Sequence, residues 1–200
     1  MKKIFFLLLV VVCTKWVQAQ HQSDFILSYP IGFPMGNLKD YTTKTSFRGI
    51  NMEFVKHVKP YLGVGLELGW NVFYERVDQK VYTDGSQSIS GVQYRYTNAV
   101  PIILGVKYYK QSSSMAEPYI GLGIGTLYAD RSTDFGLYRI SIDAWQFCAR
   151  PEIGVILHAK NDPTIGALIG LKYYAAFNTK DLDGQSYLTI NVGFVFSTGR

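Results

Sequence analysis

Apolar side chains alternate with small or polar ones along several long segments of this chain. Between positions 62 and 72 the even positions are Leu, Val or Trp, whereas the odd positions are Gly, Glu or Asn. The segment "PYIGLGIGTLY" (118–128) alternates in the same way. Successive side chains of a β-strand point to opposite faces, so each segment has one apolar face and one nearly bare face. No segment shows a convincing helical period, and the pattern therefore predicts an all-β chain.

The alternating segments are long. We expect about eight strands, and most of them have ten or more residues. Strands of soluble domains usually have about five or six residues, whereas tilted membrane strands have about 9 to 11. Strand length therefore favours a bilayer. The predicted strands are Asp24–Met35, Thr45–His57, Tyr61–Arg76, Val92–Tyr109, Pro118–Asp130, Tyr138–His158, Thr164–Asn178 and Tyr187–Ser197.

The connections between the predicted strands fall into two classes. Short turns rich in turn-forming residues lie at 58–60 and 160–163. The alternate connections are mostly longer and polar, as in outer-membrane barrels, although the segment 110–117 is long for a periplasmic turn. The predicted long loops are Gly36–Lys44, Val77–Gly91, Arg131–Leu137 and Thr179–Ser186.

The positions of the charged residues indicate which face of each predicted strand contacts lipid and which faces the lumen. Charged residues lie on the bare faces and are missing from the middles of the apolar faces. A charge facing lipid costs about 2 to 4 kcal/mol at the midplane of such a barrel, so the apolar faces fit lipid and the charged faces fit the lumen. A soluble sandwich or lipocalin-like barrel would instead leave an exterior of almost bare glycine. The predicted lumen network comprises Glu53, Glu67, Arg95, Lys107, Arg150, Glu152 and Lys172.

The fold predicted from these features is an eight-stranded antiparallel up-and-down transmembrane β-barrel. Aromatic residues near the strand ends suit the two headgroup regions of a bilayer. The predicted interfacial aromatics are Trp70, Tyr74, Tyr108, Tyr128 and Tyr173. The sixth strand changes the parity of its apolar residues between Ile142 and Trp145, which predicts a β-bulge near Asp143 or Ala144.

The N-terminus has the order of a secretory signal peptide. Lys2 and Lys3 precede an apolar run that is too short to span a bilayer, and a small residue follows at Ala19. We expect a signal peptide over 1–19 and a barrel domain over 20–200. A lipoprotein signal acylated at Cys13 is the alternative. Cleavage near Ala19 leaves Cys148 as the only thiol and removes most of the net charge of +5, so nothing predicts a nucleic-acid partner.

Three segments carry a resemblance to a known family. They are "VPIILGVKYY" (100–109), "PYIGLGIG" (118–125) and the terminal "INVGFVF" (190–196). On these segments the chain resembles the small outer-membrane β-barrel proteins of Gram-negative bacteria, akin to the OmpA/OmpX-type barrel. The resemblance implies a monomer in the outer membrane, in contact with membrane lipid and lipopolysaccharide, whose last strand is read by the barrel-assembly machinery during insertion.

The sequence favours a structural or adhesin-like role. Eight strands leave an interior just wide enough for side chains, so we expect a filled lumen and interaction through the loops, chiefly Val77–Gly91 and Thr179–Ser186. The alternatives are a narrow channel for small or apolar molecules and a membrane-embedded lipid-modifying enzyme. We predict no catalytic, cofactor or metal site: His57 and His158 lie near short turns, and "KDLDG" (180–184) lacks the other ligands of a calcium loop.

Overall fold

The structure is a closed antiparallel barrel of eight strands, as the alternation predicts. The computed structural model describes residues 22–84, 87–110, 115–159 and 164–198, without the side chains of 80–90. The predicted signal peptide, Cys13 and His21 lie outside these residues. The elements are β1 (Ser23–Pro34), α1 (Gly36–Tyr41), β2 (Gly49–Lys59), β3 (Leu62–Asp84), β4 (Gln87–Tyr109), β5 (Ala116–Phe135), β6 (Tyr138–His158), β7 (Ile165–Ala176) and β8 (Tyr187–Thr198).

The ring closes between the first and last strands. Each strand pairs with its sequence neighbours, and β1 pairs with β8 from Ser23↔Thr198 to Pro34↔Tyr187. Closure leaves no open sheet edge in the ring, which lipid requires because it offers no hydrogen-bond partner. We call the end of the barrel near Ser23 and Thr198 the inner rim and the opposite end, near α1, the outer rim.

The outward face of the ring is apolar. Leu66, Leu68 and Phe194 are 50%, 45% and 61% exposed, whereas Glu67 between the two leucines is 1% exposed. The polar residues of the same strands point inward, as predicted. No helix in the described ranges is long and apolar enough to cross a bilayer.

The prediction of loops at Val77–Gly91 and Arg131–Leu137 was wrong. β3 and β4 continue as a hairpin to Asp84 and Gln87, and β5 continues to Phe135. Beyond the ring these strands no longer have one face in lipid and one in the lumen. Polar residues therefore occupy both faces, and the two-residue period that identifies a strand is lost.

The predicted β-bulge in β6 is absent. β5 and β6 keep one register throughout, through Ala129↔Ala144, Asp130↔Asp143 and Arg131↔Ile142. Ile140 and Ile142 share the inward parity of the strand, but they lie beyond the last β6–β7 pair, Cys148↔Ala176. The change of parity marks the place where β6 leaves the ring.

A short helix lies in the first outer connection, where a loop was expected. Leu38 of α1 is fully buried and belongs to the apolar cluster at the outer end of the lumen. Tyr41 at the end of α1 donates a hydrogen bond of 2.8 Å to the backbone oxygen of Ser132. The helix thus covers the outer mouth of the ring.

Candidate functional site

A layer of buried ionic side chains crosses the middle of the lumen. Six of the seven residues of the predicted lumen network meet in this layer, and each is at most 6% exposed. We call them the ionic layer: Glu53, Glu67, Lys107, Arg150, Glu152 and Lys172.

Arg150 binds three carboxylates from the centre of the ionic layer. Its Nη1 contacts Glu67 Oε2, and its Nη2 lies 2.8 Å from Glu152 Oε1. Nη1 also lies 3.8 Å from Glu53 Oε1. Arg150 is fully buried, so its charge is balanced by these carboxylates and by no solvent.

Two lysines complete the layer. Lys107 Nζ lies 2.8 Å from Glu53 Oε2, and Lys172 Nζ lies 2.6 Å from Glu67 Oε2 and 3.2 Å from Glu53 Oε2. Both lysines also approach Glu152 Oε2, at 3.6 and 3.9 Å. Three carboxylates therefore face three cations, and the layer is neutral as a whole.

Arg95 was predicted to join this network, and the structure places it elsewhere. It pairs across strands with Glu75, above the last β2–β3 pair, Gly49↔Asn71. Its Nη1 donates to the backbone oxygen of Tyr41 at 3.0 Å, and its guanidinium lies 5.1 Å from the centre of the Tyr41 ring. The parity was right, but the residue lies at the outer mouth because β4 extends beyond the ring.

Glycines make room for the ionic layer. Gly121 and Gly123 of β5 pair with Glu152 and Arg150 of β6. A Cβ at Gly121 would lie 2.6 Å from Glu152 Oε1, and a Cβ at Gly105 would lie 2.8 Å from Arg150 Nη2. The bare face that the sequence shows is therefore the space taken by the long side chains of β6.

Apolar layers lie on both sides of the ionic layer. The outer layer includes Leu38 of α1, and the inner layer is centred on Tyr109 and Tyr119, whose rings lie 5.7 Å apart. The members of the outer layer are Leu38, Phe73, Ala99, Ile103, Leu127, Cys148, Tyr174, Ala176 and Tyr187, and those of the inner layer are Ile26, Val55, Tyr109, Tyr119, Ile156, Leu168 and Val195. Side chains thus fill the lumen at three levels.

The comparisons with known proteins agree with this architecture. Similar solved structures include Neisserial surface protein A (TM-score 0.56, 11% identity, 89% of this chain and 97% of that one) and Ail, the attachment invasion locus protein of Yersinia pestis (0.55, 11%, 90% and 99%). The outer membrane protease OmpT from Escherichia coli also matches (0.50, 8%, 88% and 96%). The chain has the fold of the small outer-membrane β-barrels. No protein-family model and no curated protein matches it.

Aromatic pairs surround the barrel near both rims. Toward the outer rim, the ring centroids of Tyr74 and Tyr96 lie 4.9 Å apart, and those of Tyr128 and Trp145 lie 5.0 Å apart. Tyr108 lies 5.8 Å from Tyr61 near the inner rim. Trp70 and Tyr173 point outward on β3 and β7. These positions suit the interfacial role proposed for Trp70, Tyr74, Tyr108, Tyr128 and Tyr173.

A buried polar cluster at the inner rim did not emerge from the sequence. His57 Nε2 lies 2.6 Å from Asp24 Oδ2, and Ser197 Oγ donates to Asp24 Oδ1 at 2.7 Å. The carboxylate of Asp24 therefore lies between the imidazole and the serine hydroxyl, whereas an activated serine needs the imidazole directly beside its hydroxyl. The cluster joins β1 to β2 and β8 across the closing seam. Its sequence signal is the lumen parity that Asp24, His57 and Ser197 share, which does not show that the three residues meet.

The second described histidine also pairs with a carboxylate at the inner rim. His158 Nε2 lies 2.8 Å from Glu117 Oε2. Among the described residues, no group of three or more His, Cys, Asp or Glu is placed to hold a metal ion. Since OmpT shares this fold and is a protease, the fold alone does not decide whether a chain is an enzyme.

Proposed function

We propose that this protein is a filled barrel of the outer membrane of a Gram-negative bacterium that binds extended polypeptide segments at its outer rim. The observation that carries the proposal is a sheet that rises beyond the ring. We call it the outer sheet: residues 74–84 of β3, 87–96 of β4, 131–135 of β5 and 138–146 of β6.

One edge of the outer sheet has no neighbouring strand in the described part of the chain. β6 pairs with β7 only from Cys148 to His158, so residues 138–146 form an edge on the extracellular side. Unpaired edge strands are templates for the addition of a further strand. A partner segment in extended conformation can therefore bind here through its backbone.

Exposed apolar residues lie at the same edge. We call Leu137, Tyr138, Ile140 and Ile142 the apolar tip. Tyr138 and Ile140 are 77% and 67% exposed, and Ile142 follows on the same face. Tyr138, Ile140 and Ile142 share the inward parity of β6 and lie beyond the ring, so they face neither lipid nor a filled lumen. Contiguous apolar surface of this kind marks an interaction site.

The filled lumen supports a surface role over passage. The ionic layer lies between two apolar layers, and α1 covers the outer mouth. The proposal includes no catalytic step, because His57 and His158 both lie at the inner rim, opposite the outer sheet. The structural neighbour Ail has been solved in complex with the heparin analogue sucrose octasulfate, which shows that a barrel of this fold can bind a ligand.

The test is the double variant Ile140→Asn/Ile142→Asn, presented to an array of ten-residue peptides with alternating apolar residues. We expect the folded wild-type barrel to bind a subset of the array. We expect the variant to bind that subset more than about tenfold more weakly, because two apolar contacts are removed. Amide hydrogen exchange should show that residues 138–146 become protected when a peptide binds.

Tyr94→Asn is the matched control, because Tyr94 is a half-exposed apolar residue on the other face of the outer sheet. It should bind like the wild type. Equal binding by the double variant, or an array with no member that binds the intact barrel, would refute the proposed function.

A further inference from the structure

The free edge of β6 carries two opposite charges at a fixed spacing. Arg139 and Asp143 lie on the outward parity of the strand, and both side chains are exposed. Ile140 and Ile142 of the apolar tip lie between them on the other face, on either side of Ser141. A strand added at this edge therefore meets a cation and, four residues along, an anion. These charges can discriminate between partner segments that the apolar tip alone would accept equally.

The backbone groups of the odd residues point to the free edge. The oxygen of Phe147 in β6 accepts a hydrogen bond of 2.9 Å from the amide of Phe177, which lies on the β7 side. The N–H and C=O of one strand residue point to the same side, and the side alternates along the strand. Because β5 and β6 keep one register throughout, Arg139, Ser141 and Asp143 also direct both groups to the β7 side. These three residues therefore form the hydrogen-bonded pairs with an added strand.

Asp143 lies opposite a like charge. It pairs with Asp130 of β5, and like charges in directly opposite positions destabilise a sheet. Its carboxylate accepts a hydrogen bond from the Tyr128 hydroxyl, but it takes part in no ion pair among the described residues. A basic residue placed opposite Asp143 by a partner strand would offset this repulsion.

The guanidinium of Arg139 is held in place and keeps one nitrogen available. Its Nε lies 3.5 Å from Asp134 Oδ1, and its Nη2 donates a hydrogen bond of 3.0 Å to Ser132 Oγ. Within the part of the chain that the structure describes, Nη1 makes no hydrogen bond, and the side chain is 61% exposed. A guanidinium has several N–H groups that can bind carboxylate oxygens. Arg139 can therefore bind an acidic residue of a partner while it keeps both contacts.

We infer that the free edge of β6 selects extended polypeptide segments with the pattern basic, apolar, any residue, apolar, acidic, and that these segments add antiparallel to β6. Antiparallel pairing is slightly more stable per residue than parallel pairing. In this direction the basic residue lies opposite Asp143 and the acidic residue lies opposite Arg139. The apolar residues lie opposite Ile140 and Ile142, at the non-hydrogen-bonded positions where side chains of two strands are closest. The inference rests on the proposed function, because it names the class of segment that the outer sheet binds.

The experiment compares two labelled peptides of identical composition on the whole barrel in lipid nanodiscs, with binding measured by fluorescence anisotropy. The first peptide is YRISIDA, the sequence of 138–144, whose central five residues have the inferred pattern. In the second peptide the arginine and the aspartate are exchanged. We expect the wild type to bind the first peptide about tenfold more tightly, because two opposite-charge pairs replace two like-charge pairs. In that complex the amides of Arg139, Ser141 and Asp143 should exchange more slowly with solvent.

The variant Arg139→Asp/Asp143→Arg should reverse the preference and bind the exchanged peptide about tenfold more tightly than the first. Arg76→Asp/Asp78→Arg is the matched control, because it exchanges two exposed charges 3.9 Å apart on β3 and leaves the edge of β6 unchanged. The control should keep the preference of the wild type. If the first variant does not fold, the preference of the wild-type barrel between the two peptides decides the inference by itself.

Three results would each overturn the inference: equal binding of the two peptides by the wild type, an unchanged preference in the folded Arg139→Asp/Asp143→Arg variant, or barrels that pair with one another through this edge in the absence of peptide. Members of the peptide array that bind without this charge pattern would also overturn it, and they would leave the proposed function intact. An array without any binding member would refute the proposed function and the inference with it.

Discussion

The variant Arg150→Leu should unfold far more easily than the wild type. Removal of the guanidinium leaves Glu53, Glu67 and Glu152 facing two lysines in a space without solvent. Loss of one member of a buried ionic cluster costs about 3 to 5 kcal/mol, because an uncompensated charge remains buried. Urea titration of the barrel in detergent micelles, followed by its heat-dependent gel mobility, measures the change in the free energy of unfolding.

Two further variants isolate the buried charge as the cause. Arg139→Leu removes an exposed guanidinium 3.5 Å from Asp134 and should cost less than about 1 kcal/mol. Arg150→Leu/Glu67→Gln leaves two carboxylates and two lysines, and this neutral layer should recover part of the lost stability. An Arg150→Leu barrel as stable as the Arg139→Leu barrel would contradict the ionic layer as described.

The variant Gly125→Val should also be strongly destabilised, by about 3 kcal/mol, at the upper end of the cost of overpacking a core. A Cβ at Gly125 would lie 2.1 Å from the backbone oxygen of Ile102 and 2.9 Å from the Cα of Ile103. These are backbone atoms of the paired strand β4 and cannot rotate away. The same urea titration measures the effect.

Gly125→Ala should already show most of this loss, because the Cβ itself makes the contact. Ile124→Val changes the adjacent outward position, which is 56% exposed and faces lipid, and it should be nearly neutral. If Gly125→Ala and Ile124→Val are equally stable, the close approach of β4 and β5 at this point is wrong.

The architecture could be predicted because two media act on every strand of the ring. Lipid excludes charged residues from the outward face. On the inward face, the narrow lumen leaves no room for a large side chain opposite a long one. The alternation at 62–72 and 118–128 records both constraints. Parity then assigned Glu67, Arg150 and Lys172 to the lumen, and the structure brings them within contact of one another.

Features outside the ring could not be predicted in this way. Beyond the ring the strands no longer lie between lipid and a filled lumen, so β3, β4 and β5 carry polar residues on both faces there, and Arg95 has lumen parity without lying in the lumen. α1 has only 6 residues, too few to show a helical period in the sequence, and the burial of Leu38 holds it in place. The cluster around Asp24 depends on the register between β1 and β8, which no local pattern contains.

The outward apolar face is tested most directly by a nitroxide scan of β8 in a Cys148→Ala barrel reconstituted in lipid. Single labels would occupy successive positions from Leu188 to Phe196, and the accessibility of each to oxygen and to a water-soluble nickel chelate would be measured. We expect high oxygen accessibility at the even positions, including Val192 and Phe194, and low values at Asn191 and Val195. Oxygen accessibility that peaks at the odd positions, or that shows no two-residue period, would contradict the lipid-facing assignment.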